Sequence, residues 1–156
     1  FCNLCQSGRD ESGGDRMQPL MWTDAERLMH EGVAAAKETF ADFLAEINWD
    51  ASEIDKTFCH QVGRAHQKLL FESLGLDPAI DYPTISRLGN TGSVALPTAA
   101  AIGVERGHLK PNDHVALLGI GSGINVLMLG VDWQSSPVGH VSPAEQEDPQ
   151  TTATPQ

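Results

Sequence analysis

Residues 114–131 read HVALLGIGSGINVLMLGV, and this stretch decides the fold class. Two apolar runs, 114–118 and 124–131, are joined by a glycine-rich loop at 119–123. Near-continuous apolar runs are typical of strands buried on both faces, so we expect a mixed, mostly buried sheet with helices on both faces. The sequence therefore predicts an α/β fold with some antiparallel pairing at its end.

Two amphipathic patterns precede these strands. Thr23 followed by Glu26 predicts a capping box, in which each of the two side chains accepts a hydrogen bond from the backbone N–H of the other residue. Apolar residues at three- and four-residue steps then predict one long helix over 23–47. A second helix is predicted over 63–74, with Gly75 as the residue that ends it.

The segment between the second helix and the glycine-rich loop contains shorter elements. Short strands are predicted at 54–59 and 82–88, and a turn is predicted at the Gly-Asn-Thr-Gly sequence that follows. The alanine-rich stretch 93–107 predicts a closely packed helix with Pro97 in its first turn, where a missing N–H is tolerated.

Composition divides the chain into three parts. Residues 1–19 are rich in glycine and charge, which predicts a loop that continues from a missing N-terminal half. Residues 20–133 carry the periodic apolar patterns of a folded domain. Residues 134–156 hold Gln, Ser, Thr, Pro and acids without Lys or Arg, which predicts a disordered acidic tail.

The charge of the chain excludes one broad class of partner. The 156 residues carry 10 Lys and Arg against 21 Asp and Glu, a formal net charge of −11. Phosphate backbones are bound by clustered basic residues, so we expect no nucleic-acid partner. No apolar run reaches the length of a membrane span. Three cysteines, an odd and small number, do not predict a disulfide framework, so we expect a cytoplasmic protein.

The three cysteines do not predict a metal site. Cys2 and Cys5 form a C-x-x-C pair, but a zinc site needs two further ligands at comparable spacing, and none follows. A metal or redox module built on this pair is retained only as an alternative. Cys59 lies in a predicted strand beside His60, and neighbouring strand residues point to opposite faces, so we expect Cys59 in the core.

Two polar residues follow predicted elements at positions suited to chemistry. His60 comes directly after a buried strand, where α/β folds place functional groups, and Asn90 lies in the Gly-Asn-Thr-Gly turn. Each has an ordinary structural interpretation, as a histidine bonded to backbone and as a turn residue. The loop at 119–123 is either a tight hairpin or a source of backbone N–H groups for an oxyanion.

The order of three motifs is more specific than any one of them. CHQ at 59–61, LGNTGSVALP at 88–97 and LLGIGSGIN at 117–125 together resemble the C-terminal half of 3-oxoacyl-ACP synthase III, in the thiolase superfamily. The resemblance covers roughly residues 20–133. It implies that these residues form a C-terminal thiolase-like domain, the half of a larger fold.

The resemblance also implies roles for particular residues. His60 and Asn90 match the family's active-site histidine and asparagine, which donate hydrogen bonds to the thioester carbonyl oxygen of the attacking acyl donor. Neutral N–H donors of this kind stabilise the growing negative charge of an enolate. The backbone N–H of Ser122, between Gly121 and Gly123, matches the loop that forms the second oxyanion hole.

The match is incomplete at two places. The family's nucleophilic cysteine lies in the N-terminal half, and none of the three cysteines here matches it. Members of the family that dock acyl carrier protein often have an arginine a few residues after the histidine. Arg64 lies close to that position but not in the usual register.

The stretch HQVGRAH at 60–66 looks closer to enzymes that join two fatty acyl-CoA chains head to head in olefin synthesis. We interpret His66, which belongs to this stretch, as a partly exposed helical residue.

The predicted function is therefore the C-terminal part of a condensing acyltransferase that makes 3-oxoacyl thioesters by Claisen condensation and is inactive alone. Its expected partners are acyl-CoA, acyl carrier protein or a malonyl thioester, together with the N-terminal half in a homodimer. No cofactor or metal is expected. A non-catalytic module that pairs with a separate N-terminal half, and head-to-head acyl-CoA condensation, are the alternatives.

Overall fold

A three-stranded mixed sheet forms the centre of the structure, a computed structural model that describes residues 5–9, 19–121 and 123–135, with backbone alone for 5–9 and 19–22. The strands β3 (Lys56–Cys59), β4 (His114–Gly121) and β5 (Asn125–Asp132) lie in that order. β3 pairs parallel with β4, and β4 pairs antiparallel with β5. The predicted α/β class and the terminal antiparallel pair are confirmed.

Helices cover both faces of this sheet, as predicted. Alternate side chains of a strand point to opposite faces, so Cys59 packs on one side of the sheet and Phe58 on the other. The first face holds α1 (Ala25–Ile47) and α2 (Arg64–Leu74), and the second holds α4 (Ala95–Glu105). Cys59 is 2% exposed, which confirms its predicted place in the core.

Strand β5 is less buried than its apolar sequence predicts. Leu127 and Leu129 are 66% and 50% exposed, whereas Val115 and Leu118 of β4 are buried. β4 lies between two strands, and β5 forms the edge of the described sheet with one neighbour only. The prediction of strands buried on both faces is therefore right for β4 and wrong for β5.

Helix α1 begins one residue later than the predicted capping box places it. The Asp24 side chain caps it by accepting a hydrogen bond from the Arg27 N–H at 3.1 Å. Thr23 instead pairs with Cys5 as the last residue of a strand. The predicted Thr23 cap is wrong because Thr23 is already engaged in a ladder, while the helix itself is confirmed.

The N-terminal residues contain strands where a loop was predicted. β1 (Cys5–Arg9) and β2 (Pro19–Thr23) pair antiparallel. The loop prediction for 1–19 is therefore wrong at 5–9 and at 19, because the mostly polar β1 pairs through its backbone with the apolar β2. Cys2 and the predicted tail from 136 onward lie outside the described residues, and the tail and the missing half stay predictions.

The predicted strand over 82–88 is wrong. A single bridge joins Asp81 to Thr57, and the chain then forms the short helix α3 (Ile85–Leu88). Pro83 has no N–H to donate to a sheet ladder, so pairing stops before it. The helices on either side follow the prediction: Gly75 ends α2 at φ +70°, and Pro97 lies in the first turn of α4.

Candidate active site

The sheet positions His60 at the end of its parallel strand. The backbone N–H of His60 donates to the Leu118 carbonyl at 3.0 Å and so extends the β3–β4 pairing by one residue. Residues 57–59 before it are buried, and His60 itself is half-buried. Its imidazole is therefore fixed at the carboxyl end of a buried strand, as the sequence predicts.

A local turn positions Asn90. It follows α3 and Gly89, whose φ of +66° suits glycine, and its side-chain oxygen accepts a hydrogen bond from the Gly92 N–H at 2.9 Å. This is the turn bond expected of an asparagine in such a sequence. The amide NH₂ is a neutral donor that Asn90 can offer to a ligand.

His60, Asn90 and Gly121 line one open cleft of about 330 Å³, together with His66. Three segments distant in sequence therefore meet at one place, as the motif order predicts. Ser122 lies outside the described residues, so its predicted oxyanion role stays a prediction. The remainder of the wall is largely apolar and comes from the start of α1 and from both sides of the glycine-rich loop: Thr23, Ala25, Leu28, Met29, Gly32, Val62, Ile120 and Ile124.

Arg64 and Gly123 lie at the margins of this arrangement. Arg64 is the first residue of α2, is exposed, and does not line the cleft. Gly123 is exposed with a φ of +130°, next to Ile124 of the cleft wall. The carrier-docking role of Arg64 stays a prediction.

The two histidines of the cleft favour their neutral forms. Burial lowers the pKa of His60 below its ordinary 6.5. Burial also lowers the pKa of His66, and the charge that His60 gains on protonation lowers it further. A neutral imidazole carries one N–H and one lone pair, so at pH 7 each ring can donate one hydrogen bond into the cleft without losing a proton.

His66 was misinterpreted from the sequence. It is 8% exposed and faces the cleft, so the prediction of a partly exposed helical histidine is wrong. A signal for its burial is present in the sequence. It precedes Leu70 and Leu74 by four and eight residues, and side chains at these steps share one face of a helix. Both leucines are buried in the core.

Buried polar side chains join the His60 loop to the segment that leads to Asn90. The Gln61 side chain contacts backbone on both sides of this junction. Asp81 accepts hydrogen bonds from Thr57 at 3.2 Å and Gln67 at 2.5 Å. Burial raises the pKa of Asp81, and these hydrogen bonds oppose that change by stabilising its carboxylate. Neither Gln61 nor Asp81 was singled out from the sequence.

Cys59 is not suited to act as a nucleophile. Burial raises the pKa of its thiol well above the ordinary value, and the nearby Asp81 carboxylate raises it further. The thiolate is the reactive form of cysteine, so a raised pKa disfavours attack. This cysteine is a core residue beside the site.

Neither a membrane span nor a metal centre is found within the described residues. No described helix has both the length and the apolar character needed to cross a bilayer. Among the same residues, no three His, Cys, Asp or Glu side chains are grouped to hold a metal ion.

The mixed sheet between helical layers, with a histidine and an asparagine in one apolar cleft, defines a thiolase-like domain. The family model for the C-terminal domain of 3-oxoacyl-[acyl-carrier-protein (ACP)] synthase III matches residues 44–133. The match covers more than half of the chain, and the chain belongs to this family.

Named relatives come from two branches of this family. An acyl-CoA:acyl-CoA alkyltransferase of Shewanella oneidensis is 45% identical over 130 residues, which are 83% of this chain and 37% of that protein. A variant of Xanthomonas campestris OleA, solved with bound lauric acid and lauroyl-CoA, matches with a TM-score of 0.73 and 36% identity over 85% of this chain and 36% of that one.

A relative from the second branch, the 3-oxoacyl-ACP synthases III, has a similar TM-score. The 3-oxoacyl-(acyl carrier protein) synthase III, FabH, of Xanthomonas oryzae pv. oryzae matches with a TM-score of 0.71 and 36% identity over 83% of this chain and 36% of that one. The chain thus spans little more than a third of the length of these three proteins.

Proposed function

We propose that this chain is the C-terminal part of a condensing acyltransferase, in which His60 and Asn90 stabilise the enolate of an acyl thioester. One observation carries the proposal: two N–H donors held by separate loops line the same apolar cleft. Hydrogen bonds to a developing oxyanion are strengthened when water is excluded around them. The apolar wall and the neutral state of His60 both favour this use of the cleft.

The chemistry that this arrangement supports is a Claisen condensation. A general base of the complete enzyme takes the α-proton of the donor thioester, or a malonyl donor releases carbon dioxide, and the enolate oxygen accepts hydrogen bonds from His60 and Asn90. The α-carbon attacks the carbonyl of an acyl-cysteine, a carbon–carbon bond forms, and the cysteine leaves as a thiolate. The product is a 3-oxoacyl thioester. The cysteine comes from the other half of the fold, and the Ser122 amide would stabilise the second oxyanion.

We propose two acyl-CoA molecules as the substrates. The Shewanella relative is named for acyl-CoA on both sides of the reaction, and the Xanthomonas OleA structure contains lauroyl-CoA. The HQVGRAH sequence at 60–66 favours the same branch. Condensation with a malonyl-carrier thioester is the alternative, which the likeness to FabH supports.

Product analysis on the complete enzyme tests both parts of this proposal. Lauroyl-CoA alone is expected to give a 2-alkyl-3-oxoacyl thioester, detected by mass spectrometry, and malonyl-ACP is supplied in a parallel reaction. His60→Ala and Asn90→Asp should each abolish most of the product because each removes a neutral N–H donor. His30→Ala is the matched control, since His30 is exposed on α1 and does not line the cleft.

The possible outcomes test the donor roles and the choice of acyl-CoA substrates separately. Wild-type turnover in both His60→Ala and Asn90→Asp would show that the donor roles are wrong. Product that forms only with malonyl-ACP would retain the donors and reject the acyl-CoA pair.

A second candidate function is a non-catalytic module that pairs with a separate N-terminal half. The exposure of Leu127 and Leu129 on β5 favours a covering partner on that face. The candidate predicts stable pairing with a nucleophile-bearing half but no product from the pair. Product from the reconstituted pair would reject it.

A further inference from the structure

Gln61 is buried at the junction of the two loops that carry the proposed donors. Only 4% of it is exposed, and its side chain makes three hydrogen bonds. Its Nε2 donates to the Cys59 carbonyl at 2.8 Å, on the His60 side. Its Oε1 accepts from the N–H groups of Thr84 and Ile85 at 3.0 and 3.1 Å, on the Asn90 side.

The accepting oxygen acts as the cap of helix α3. The first N–H groups of any helix have no partner within the helix, and a neighbouring side chain commonly supplies one. Thr84 precedes α3 but makes no capping hydrogen bond with its own side chain. Gln61 supplies this acceptor from a different loop, and α3 is only four residues long, so Gly89 and Asn90 follow directly.

The segment that follows α3 and contains Asn90 depends on this cap for its position. The chain is exposed from residue 86 through residue 94, so core packing does not fix the Asn90 turn. The Asp81 hydrogen bonds hold the same segment further from Asn90, at its contact with β3. The donation from Nε2 to Cys59 also fixes which end of the Gln61 amide faces α3.

We propose that Gln61 is a positioning residue that links the His60 loop to the Asn90 turn, so that both donors are held in one geometry toward the same oxygen. The proposal rests on the proposed function and assigns Gln61 no contact with substrate. Catalysis by aligned donors is sensitive to displacement of about 1 Å, which can reduce the rate by about 10²-fold.

Kinetic analysis of the complete enzyme with lauroyl-CoA tests this link. Gln61→Met keeps the length of the side chain and removes all three hydrogen bonds. Gln67→Met is the control, because Gln67 is a partly buried glutamine of α2 whose side chain bonds Asp81 but neither loop amide.

The link predicts a specific pattern of rates. Gln61→Met should lower kcat by about 10- to 100-fold with KM changed by less than about threefold, because the loss is in transition-state stabilisation. Gln67→Met should lower the melting temperature by several degrees, as Gln61→Met does, with kcat within about twofold of wild type.

A multiple variant distinguishes positioning from general destabilisation. With His60 and Asn90 both replaced by alanine, adding Gln61→Met should change kcat by less than about twofold, since no donors remain to be positioned. An equal loss of kcat in Gln67→Met, a kcat of Gln61→Met within twofold of wild type, or a further tenfold loss in the triple variant would each overturn the proposal.

Failure of the proposed function would be recognised separately. If His60→Ala and Asn90→Ala leave turnover unchanged, the donor roles fail whatever Gln61 does. The link is then tested by hydrogen exchange at the Thr84 and Ile85 amides. Exchange at least tenfold faster in Gln61→Met than in Gln67→Met supports the link, and equal rates overturn it.

Discussion

The His60 loop and the Asn90 turn reach the same cleft but are built differently. His60 continues a parallel strand whose last three residues are buried, and its N–H pairs with Leu118 of the central strand. Asn90 lies in an exposed stretch between Gly89 and Gly92, which both have positive φ. Core packing therefore fixes one proposed donor, whereas backbone conformation and, on our proposal, the buried Gln61 fix the other.

This difference indicates how each donor can be lost. The position of His60 changes only if the sheet changes, because its backbone belongs to the strand pairing. The position of Asn90 can change while the core stays intact, because its turn is exposed. Substitutions that leave the fold stable are therefore expected to affect the Asn90 side of the cleft more readily.

The largest expected effects come from the donors themselves. In the complete enzyme, His60→Ala and Asn90→Ala should each lower kcat by about 10²- to 10³-fold, the usual loss for one oxyanion donor. If both donate to the same oxygen, the double variant should lose little more than either single variant, because the two residues act as a unit. Steady-state kinetics measures this. A multiplicative loss in the double variant would show that the donors act independently.

A pair of glycine substitutions tests the difference between the two loops. Gly89→Ala places a side chain at φ +66° and ψ −163°, a region essentially restricted to glycine, and should destabilise the fold by about 1–3 kcal/mol. It should also lower kcat by displacing Asn90. Gly63→Ala, at an extended φ of 172° with open space around its Cβ, should change stability by less than about 0.5 kcal/mol.

Urea unfolding and kcat measurements on the two glycine variants provide the comparison. Equal losses of stability and kcat in Gly63→Ala and Gly89→Ala would contradict the view that, of these two loops, only the Asn90 turn depends on a glycine conformation.

The smallest expected effect concerns pH, since histidine titrates and asparagine does not. The folded pKa values of His60 and His66 lie below the ordinary 6.5, so below pH 6.5 the unfolded chain binds more protons than the folded chain. The free energy of unfolding should therefore decrease as pH falls below about 6.5. His66→Gln should reduce this decrease, as measured by urea unfolding at pH 5.5 and 7.5.

Two other groups, His108 and Asp81, titrate alike in the wild-type protein and in His66→Gln, so their contributions to the pH dependence cancel when the two are compared. His108, whose pKa burial also lowers, acts with the same sign, and Asp81, whose pKa burial raises, acts with the opposite sign. Asn90→Gln serves as the control and should leave the pH dependence unchanged. An unchanged slope in His66→Gln would contradict the assignment of His66 as a buried, neutral histidine.

Apolar periodicity predicted the elements whose position burial decides. The long stripe of α1 and the apolar run of β4 were recognisable because their side chains form the two cores. The pairing of β1 with β2 was not, because β1 is mostly polar and contains glycine, so its sequence carries no strand pattern. Residues 82–88 were misread as a strand, although Tyr82, Ile85 and Leu88 are spaced by three residues, and Pro83 and the cap from Gln61 favour a short helix.

The candidate site was predictable only as far as local motifs extend. His60, Asn90 and the loop around Gly121 were found because their motifs follow one another in a known order, and the fold brings them together. His66 and Gln61 depend on how α2 and α3 pack against the sheet. That packing is a tertiary property. The spacing of His66 from Leu70 and Leu74 indicated its burial, but no local pattern indicated its place in the cleft or the hydrogen bonds of Gln61.

The topology of the sheet also determines when the cleft can form during folding. The β4–β5 hairpin, which contains the glycine-rich loop, needs only local contacts, and hairpins form in about 1–10 μs. The parallel pairing of β3 with β4 requires closure of the long connection that contains α2, α3 and α4. Non-local pairing of this kind is slow, because loop-closure entropy is lost before the contacts form. We therefore expect His60 to join the glycine-rich loop late in folding, so that the cleft forms after the β4–β5 hairpin.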